Sequence, residues 1–288
     1  MAWTQDITAT EQFTSSSAIF WTRLVPATMQ WSAPISISQS YRNDEEPDVV
    51  TDEDGTLHVV WTGQMDGDVR QVFYCQRFRQ GAWSIARPVS ICGGDCSQPS
   101  ASADGAQGVA VVAWTEDVGA SARVLFANQY SDGNWNAAVD VSNLAGFSRS
   151  ASSFVAPDGR IFVFWTNAQS GRETIYYSHR ARYGNTWSVP ITVTTAAADT
   201  NITSVRCELD RDWNVQLVWN TEEMGQEAAV WHSMGQPIVK PNTPTPTRTA
   251  TITRTPTVTA TPTATATSTS TATPRSPVWM PMLLRGRQ

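Results

Sequence analysis

The sequence predicts an all-β chain: a propeller of four-stranded blades followed by a disordered stalk. Two tryptophan series predict the blades. Trp31, Trp83, Trp135 and Trp187 stand 52 residues apart each time, and Trp3, Trp61, Trp114, Trp165 and Trp219 recur every 51 to 58 residues. A fixed period of this length marks a repeat architecture, and four short strands make one propeller blade. A β-sandwich would use similar strands but would not require so regular a tryptophan spacing. The stalk is predicted by an abrupt change in composition, because every odd position from Thr243 to Thr273 is threonine.

The repeat reads most clearly between Pro47 and Ile91. A short strand at residues 48–51 leads through the turn Asp54-Gly55 into a second at 57–61, which ends on Trp61. A polar loop with Gly63 and Gly67 follows, then a third strand at 72–75, a turn at Gly81, Trp83-Ser84, and a fourth strand at 88–91. The same order returns over residues 99–142 and again over 152–193. The strands are β-branched and aromatic, the turns carry Gly, Asp and Asn, and nothing has helical periodicity.

Both ends read as partial blades. Residues 1–6 align with residues 112–117, inside a second strand, so the first blade shows its second, third and fourth strands. At the other end, residues 202–208, 215–219 and 229–231 supply three strands, and the stalk arrives where a fourth is expected. Three full and two partial blades give the expected domain at residues 1–238, with the stalk at 239–276 and a short apolar and basic tail at 277–288. An open propeller leaves edges unpaired. The expectation is therefore that further residues precede Met1; an incomplete or dimerising propeller is the alternative.

An all-threonine face interrupted by prolines cannot bury a core, so the stalk is extended and open to O-glycosylation. At about 3.1 Å per residue it reaches on the order of 100 Å. The apolar tail around Trp279 to Leu284, followed by Arg285 and Arg287, is too short to span a membrane. It is similar to the C-terminal attachment signals of bacterial surface proteins, which would tie the chain to a cell envelope; a frayed end is the other reading. A stalk suits a secreted or surface-displayed protein, although no signal peptide and no apolar run of transmembrane length is present in the sequence.

Charge limits the partners. The first 240 residues hold 26 acidic against 15 basic residues, a net charge of −11 that repels phosphate backbones and argues against nucleic acid. Four cysteines are present. Cys92 and Cys96 enclose Gly93-Gly94-Asp95, a loop that a disulfide could close after export; alternatively all four, with Cys75 and Cys207, are free thiols. His58, His179 and His232 are scattered, so no zinc pattern and no cofactor motif is expected. Asp52-Glu53-Asp54-Gly55 has the start of a calcium loop but lacks the remaining ligands and reads as a β-turn.

The blades resemble those of the sialidase-type propeller superfamily over about residues 1–236. The resemblance is carried by residues 52–61 with Trp83-Ser84, and by Asp158-Gly159 and Trp165 with Trp187-Ser188-Val189-Pro190. The family's Asp-box survives only as a degenerate Ser131-Asp132-Gly133-Asn134-Trp135, partnered by Gly81-Ala82-Trp83 and Gly184-Asn185-Thr186-Trp187. In that family the box is a folding device, so the resemblance makes these tryptophans core residues first. It also implies three arginines on a substrate carboxylate, a Tyr–Glu nucleophile pair and an acid/base Asp. None of these transfers by motif, and the Arg-Ile-Pro segment that precedes the first box in the family is absent. Glu173 with Tyr176 or Tyr177 has the look of the nucleophile pair, but Tyr176-Tyr177 aligns with Phe73-Tyr74 and reads as a structural strand.

Because strands alternate in direction, inter-blade loops share one face with the loops between second and third strands. That face is expected to carry a ligand site from Tyr41, Arg42, Asp44, Glu46, Asp95, Arg149 and Asp199, with Glu45 and Phe147 beside them. The second loop set adds Asp66, Asp68, Glu116, Asp117, Glu222 and Glu223. Carboxylates, arginines and aromatics around a propeller mouth suit a glycan or a surface protein as partner. The leading functional expectation is a recognition module; the alternative is an exo-sialidase type of glycoside hydrolase with part of its catalytic set upstream of Met1. A purely structural spacer is the third.

Overall fold

The structure is a computed structural model that describes residues 1–7, 16–38, 42–64, 69–79, 81–89, 91–104, 109–129, 133–181, 184–223, 228–237 and 280–284. Among these residues it is all-β and forms five consecutive blades of a β-propeller. The first blade has three strands, β1 (Ala2–Ile7), β2 (Ser16–Trp21) and β5 (Ile35–Ser36), with a small hairpin of β3 (Leu24–Val25) and β4 (Gln30–Trp31) beside it. The second is β6 (Arg42–Thr51), β7 (Leu57–Gln64), β8 (Arg70–Arg77) and β9 (Arg87–Pro88). The third is β10 (Asp95–Asp104), β11 (Val109–Asp117), β12 (Ala122–Asn128) and β13 (Val139–Asp140). The fourth is β14 (Phe147–Val155), β15 (Ile161–Gln169), β16 (Arg172–Arg180) and β17 (Ile191–Thr195).

The fifth blade departs from the sequence expectation. Strands β18 (Thr200–Leu209), β19 (Asn214–Glu223) and β20 (Ala229–Pro237) are joined by a fourth, β21 (Met280–Leu284), which pairs antiparallel with β20 from Val230↔Leu284 to Met234↔Met280. The blade is therefore complete, and the segment expected to act as an attachment signal is its edge strand. Pro281 fits there because an edge strand need not donate on its outer side. The stalk expected at residues 239–276 lies outside the described residues.

The inner strands β6, β10, β14 and β18 pack side by side, and each carries a register shift near its start. At Glu46, Gln98 and Ser150 the backbone enters the left-handed region, with φ of 54°, 51° and 55°. A bulge leaves an N–H outside its own ladder, and a buried N–H needs an acceptor. The previous blade supplies it in two of the three seams, and in the third a side-chain donor bridges instead. Glu46 Oε2 accepts Gln98 N–H at 2.8 Å, Gln98 Oε1 accepts Ser150 N–H at 2.8 Å, and Ser150 Oγ donates to Thr203 O at 3.3 Å. A second rung runs parallel: Asp48 Oδ2 accepts from Ala101 N–H, Ser100 Oγ from Ser153 N–H, and Ser152 Oγ from Cys207 N–H. The expected loop residues 42–46 are thus strand residues, because these bonds extend β6 beyond its apolar part.

Four apolar clusters fill the four blade interfaces. Trp61, Trp114 and Trp165 are fully buried, each facing the preceding blade. The other tryptophan series repeats a contact across the same seams. Trp83 meets Trp21 edge-on at 5.4 Å, Trp135 meets Tyr74 at 5.1 Å, and Trp187 meets Phe126 at 4.9 Å. Trp31 has no such ring before it among the described residues and is 55% exposed. Cys92 and Cys96 are bonded, while Cys75 and Cys207 are buried free thiols whose burial pushes both up to about 12. Asp52 and Gly55 close a β-turn, with Gly55 at φ 80°, and the Asp52 side chain caps Thr56 N–H and meets His58.

Candidate functional site at the propeller mouth

The face where inner strands begin and second strands end is where the sequence places a site. One position on this face, two residues after each buried tryptophan, shows how it is built. In the second blade that position is Gly63, and its missing side chain makes room for Asp44, whose Oδ1 lies only 2.2 Å from where a Cβ would stand. In the third blade it is Glu116, whose buried Oε1 accepts Gly93 N–H at 2.6 Å and Gly94 N–H at 3.3 Å, pinning the disulfide loop. In the fourth it is Asn167, which donates to Ala145 O and Ser148 Oγ. Glu116 and Asn167 thereby tie the connector between blades to the second strand.

Asp44 is only 1% exposed and accepts Trp61 Nε1–H at 3.1 Å. Burial raises its carboxyl to about 6, against the lowering effect of hydrogen bonds from Ser38 and Trp61. Glu46 is committed to Gln98 N–H and Thr62 Oγ1. Of these expected ligand residues, Glu46 therefore joins two blades, while Asp44 ties β6 to β7 within one. Asp95 accepts Arg70 N–H at 3.0 Å across the next seam. Arg42 opens β6 opposite Gln64, and Tyr41, with Asp66 and Asp68, lies outside the described residues.

Arg149 does reach solvent. Its side chain is 52% exposed, its guanidinium lies 5.0 Å over the Phe147 ring, and Nη2 meets Asp117 Oδ2 at 3.3 Å. Glu173 is close enough for Arg149 to lower its carboxyl, but burial dominates and holds that group above the usual carboxylate range. The Glu173 carboxylate accepts Ile202 N–H, Tyr176 stacks on Trp165 at 6.1 Å, and Tyr177 is 1% exposed in the core. No nucleophile pair is assembled from these residues. The neighbouring arginines are also taken: Arg70 by Glu45 at 2.7 Å and Arg123 by Glu116 at 2.6 Å. Glu116 also lies beside Cys92 and Cys96, but the two sulfurs are bonded to each other and offer a metal no thiolate.

Solved structures share this architecture. The α-L-arabinofuranosidase Arb93A from Fusarium graminearum, in complex with an iminosugar inhibitor, is 12% identical, with 68% of this chain and 63% of that one covered and a TM-score of 0.51. A PL25 ulvan lyase is 12% identical over 71% of this chain and 56% of that one, with a TM-score of 0.54. The fold is a β-propeller. The Hadza microbial sialidase Hz136 also matches, at 13% identity over 76% of this chain and 52% of that one, with a TM-score of 0.48. The chain thus spans between about half and two thirds of each of these proteins, and at such identities the likeness is one of fold. No protein-family model matches it, and no curated protein matches it in sequence.

The fifth blade adds a feature the sequence reading missed. Its counterpart of Glu116 and Asn167 is Thr221, which accepts Trp231 Nε1–H at 2.8 Å instead of holding a connector. The connector here carries alanines at 196–198, and a crevice of about 370 Å³ opens between β17, β18, β19 and β20. Asp199, in the left-handed region at φ 64°, lines the adjoining acidic depression with Asn201, Glu222 and Glu223. The only sequence signal for the crevice is the alanine run where earlier connectors have Gly93-Gly94 or Ala145-Gly146. Among the described residues no helix is long and apolar enough to cross a membrane.

Proposed function

We propose that this chain is a secreted or surface-displayed propeller that recognises glycan on its mouth face. The observation that carries the reading is the exposed Arg149 stacked on Phe147 and neutralised by Asp117. A flat ring, a fixed donor fork and a carboxylate acceptor in one patch match the hydroxyls and apolar faces of a sugar. The likeness of fold to an arabinofuranosidase and an ulvan lyase supports a carbohydrate partner, although a fold hosts many functions. The domain's net charge of −11 disfavours a strongly anionic glycan. A glycan array probed with the full chain tests this: retention is expected, with about tenfold weaker binding by Arg149→Ala. A blank array, or an unaltered Arg149→Ala, contradicts it, and capture of proteins alone would favour a protein ligand.

One observation favours the hydrolase alternative. Glu173, half-buried with its carboxyl raised, sits within the field of Arg149 and has the tuning expected of a general acid. Turnover of a fluorogenic sialoside or arabinofuranoside, lost in Glu173→Gln, would establish that reading. Binding without turnover would remove it.

A further inference from the structure

We infer that the crevice between the fourth and fifth blades is a separate subsite for one neutral sugar ring. The inference rests on the glycan reading of the mouth face but uses none of the Arg149 patch. In the two preceding seams the connector is tied down by Glu116 and Asn167, and its glycines lie against the second strand; a Cβ on Gly94 or Gly146 would stand 2.1 or 2.4 Å from backbone oxygens of Asp117 or Ala168. In the last seam that closure is missing, because Thr221 is turned to Trp231. The space left, about 370 Å³, falls in the range of small-molecule sites.

The lining has the chemistry of a sugar cradle. Trp231 stacks on Trp219 with ring centroids 6.3 Å apart and planes 9° from parallel. In the second blade the equivalent Phe73 is fully buried, whereas Trp231 is only half-buried and lines the crevice wall. Its face offers the apolar surface on which the C–H side of a ring can lie. Thr194, Thr195 and Thr200 bring hydroxyls that both donate and accept, and Glu223 accepts only. Alternating donors and acceptors around one aromatic wall match a ring of hydroxyls. The charge of the rim selects among sugars: Glu223, with Asp199 and Glu222 in the adjoining depression, places only carboxylates at the opening. Among the described residues no arginine or lysine lines either space, so a uronate or sialate carboxylate would meet like charge.

Saturation-transfer NMR on the full chain, with methyl β-D-galactopyranoside, methyl α-D-mannopyranoside and methyl β-D-xylopyranoside as probes and N-acetylneuraminic acid as the anionic control, tests the assignment. At least one neutral glycoside is expected to bind, with a loss of tenfold or more in Trp231→Ala. Because Trp231→Ala could disturb the blade, Ala197→Phe fills the crevice from an exposed connector position and is expected to abolish binding equally. Arg149→Ala is expected to leave these one-ring probes unaffected. Binding lost in Arg149→Ala but kept in Ala197→Phe would overturn the crevice while preserving the mouth reading. Preference for N-acetylneuraminic acid would overturn the inferred class, and no binding by any probe would overturn the crevice, leaving the oligosaccharide array to judge the mouth separately.

Discussion

The Glu46 carboxylate accepts the backbone N–H of Gln98, 52 positions further on, at 2.8 Å. Gln98 then accepts the N–H of Ser150 at the same distance, so one blade's bulge closes on the next. The pair lies at the surface, where water can take the place of the lost acceptor, so removing it costs about 0.5–1.5 kcal/mol. Glu46→Ala is therefore expected to lower the urea midpoint without changing the slope, while Glu46→Gln, which keeps an acceptor, should recover most of the loss. Equal stability in all three proteins would show that the clasp contributes nothing.

Asp44 predicts a pH dependence. Its folded carboxyl is raised to about 6 by burial, above an ordinary value of 3.8, so the folded state holds the proton more tightly than the unfolded chain. This contribution is fully present below about pH 4 and is lost as the pH rises through about 6. The loss is at most about 3 kcal/mol. Asp44→Asn, which keeps an acceptor for Trp61, should be more stable than the parent at pH 7, with the advantage shrinking toward pH 4. Parallel stability curves for the two proteins would contradict the buried, raised carboxyl.

The two positions of one tryptophan series should answer differently to truncation. Trp135 packs edge-on against Tyr74 across a seam, whereas Trp31 is 55% exposed. Trp135→Ala is expected to cost about 2–4 kcal/mol, since the ring leaves a gap beside the core. Trp31→Ala should fall within about 0.5 kcal/mol of the parent, as exposed substitutions do. Thermal melts of the pair check this directly.

Reduction of the Cys92–Cys96 bond should have a modest effect. The loop it closes spans a sequence separation of 4, and so short a loop contributes about 2 kcal/mol or less. Glu116 holds Gly93 and Gly94 independently of the sulfurs. Cys92→Ser with Cys96→Ser should therefore fold, and Glu116→Ala added to it should cost more than either change alone.

Much of the fold was legible in the tryptophan spacing, because a ring that must be buried in every seam recurs whenever a blade does. Trp61, Trp114 and Trp165 sit where that period places them. What was not legible depends on partners far along the chain. Asp44 and Glu46 read as loop residues because they are charged and precede the apolar part of β6, yet their acceptor atoms serve Trp61 and Gln98. The fourth strand of the last blade was invisible, since Met280–Leu284 is separated from β20 by the threonine-rich tract. Of the expected site residues, Arg149 on the fourth blade and Asp199 on the connector to the fifth line open surface. The crevice beside Asp199 arises where Thr221 turns to Trp231 and the connector lacks the second-strand side-chain tie of the two seams before it.

The face of the propeller that meets a glycan can be measured directly. Hydrogen exchange of the full chain, with and without a saturating oligosaccharide taken from the array, measures this. Protection is predicted where β14 and β18 begin and β11 and β19 end, around Asp117, Phe147, Arg149 and Glu223. Protection confined to the opposite turns at Asp54-Gly55 and Asp158-Gly159, or none at all, would contradict it.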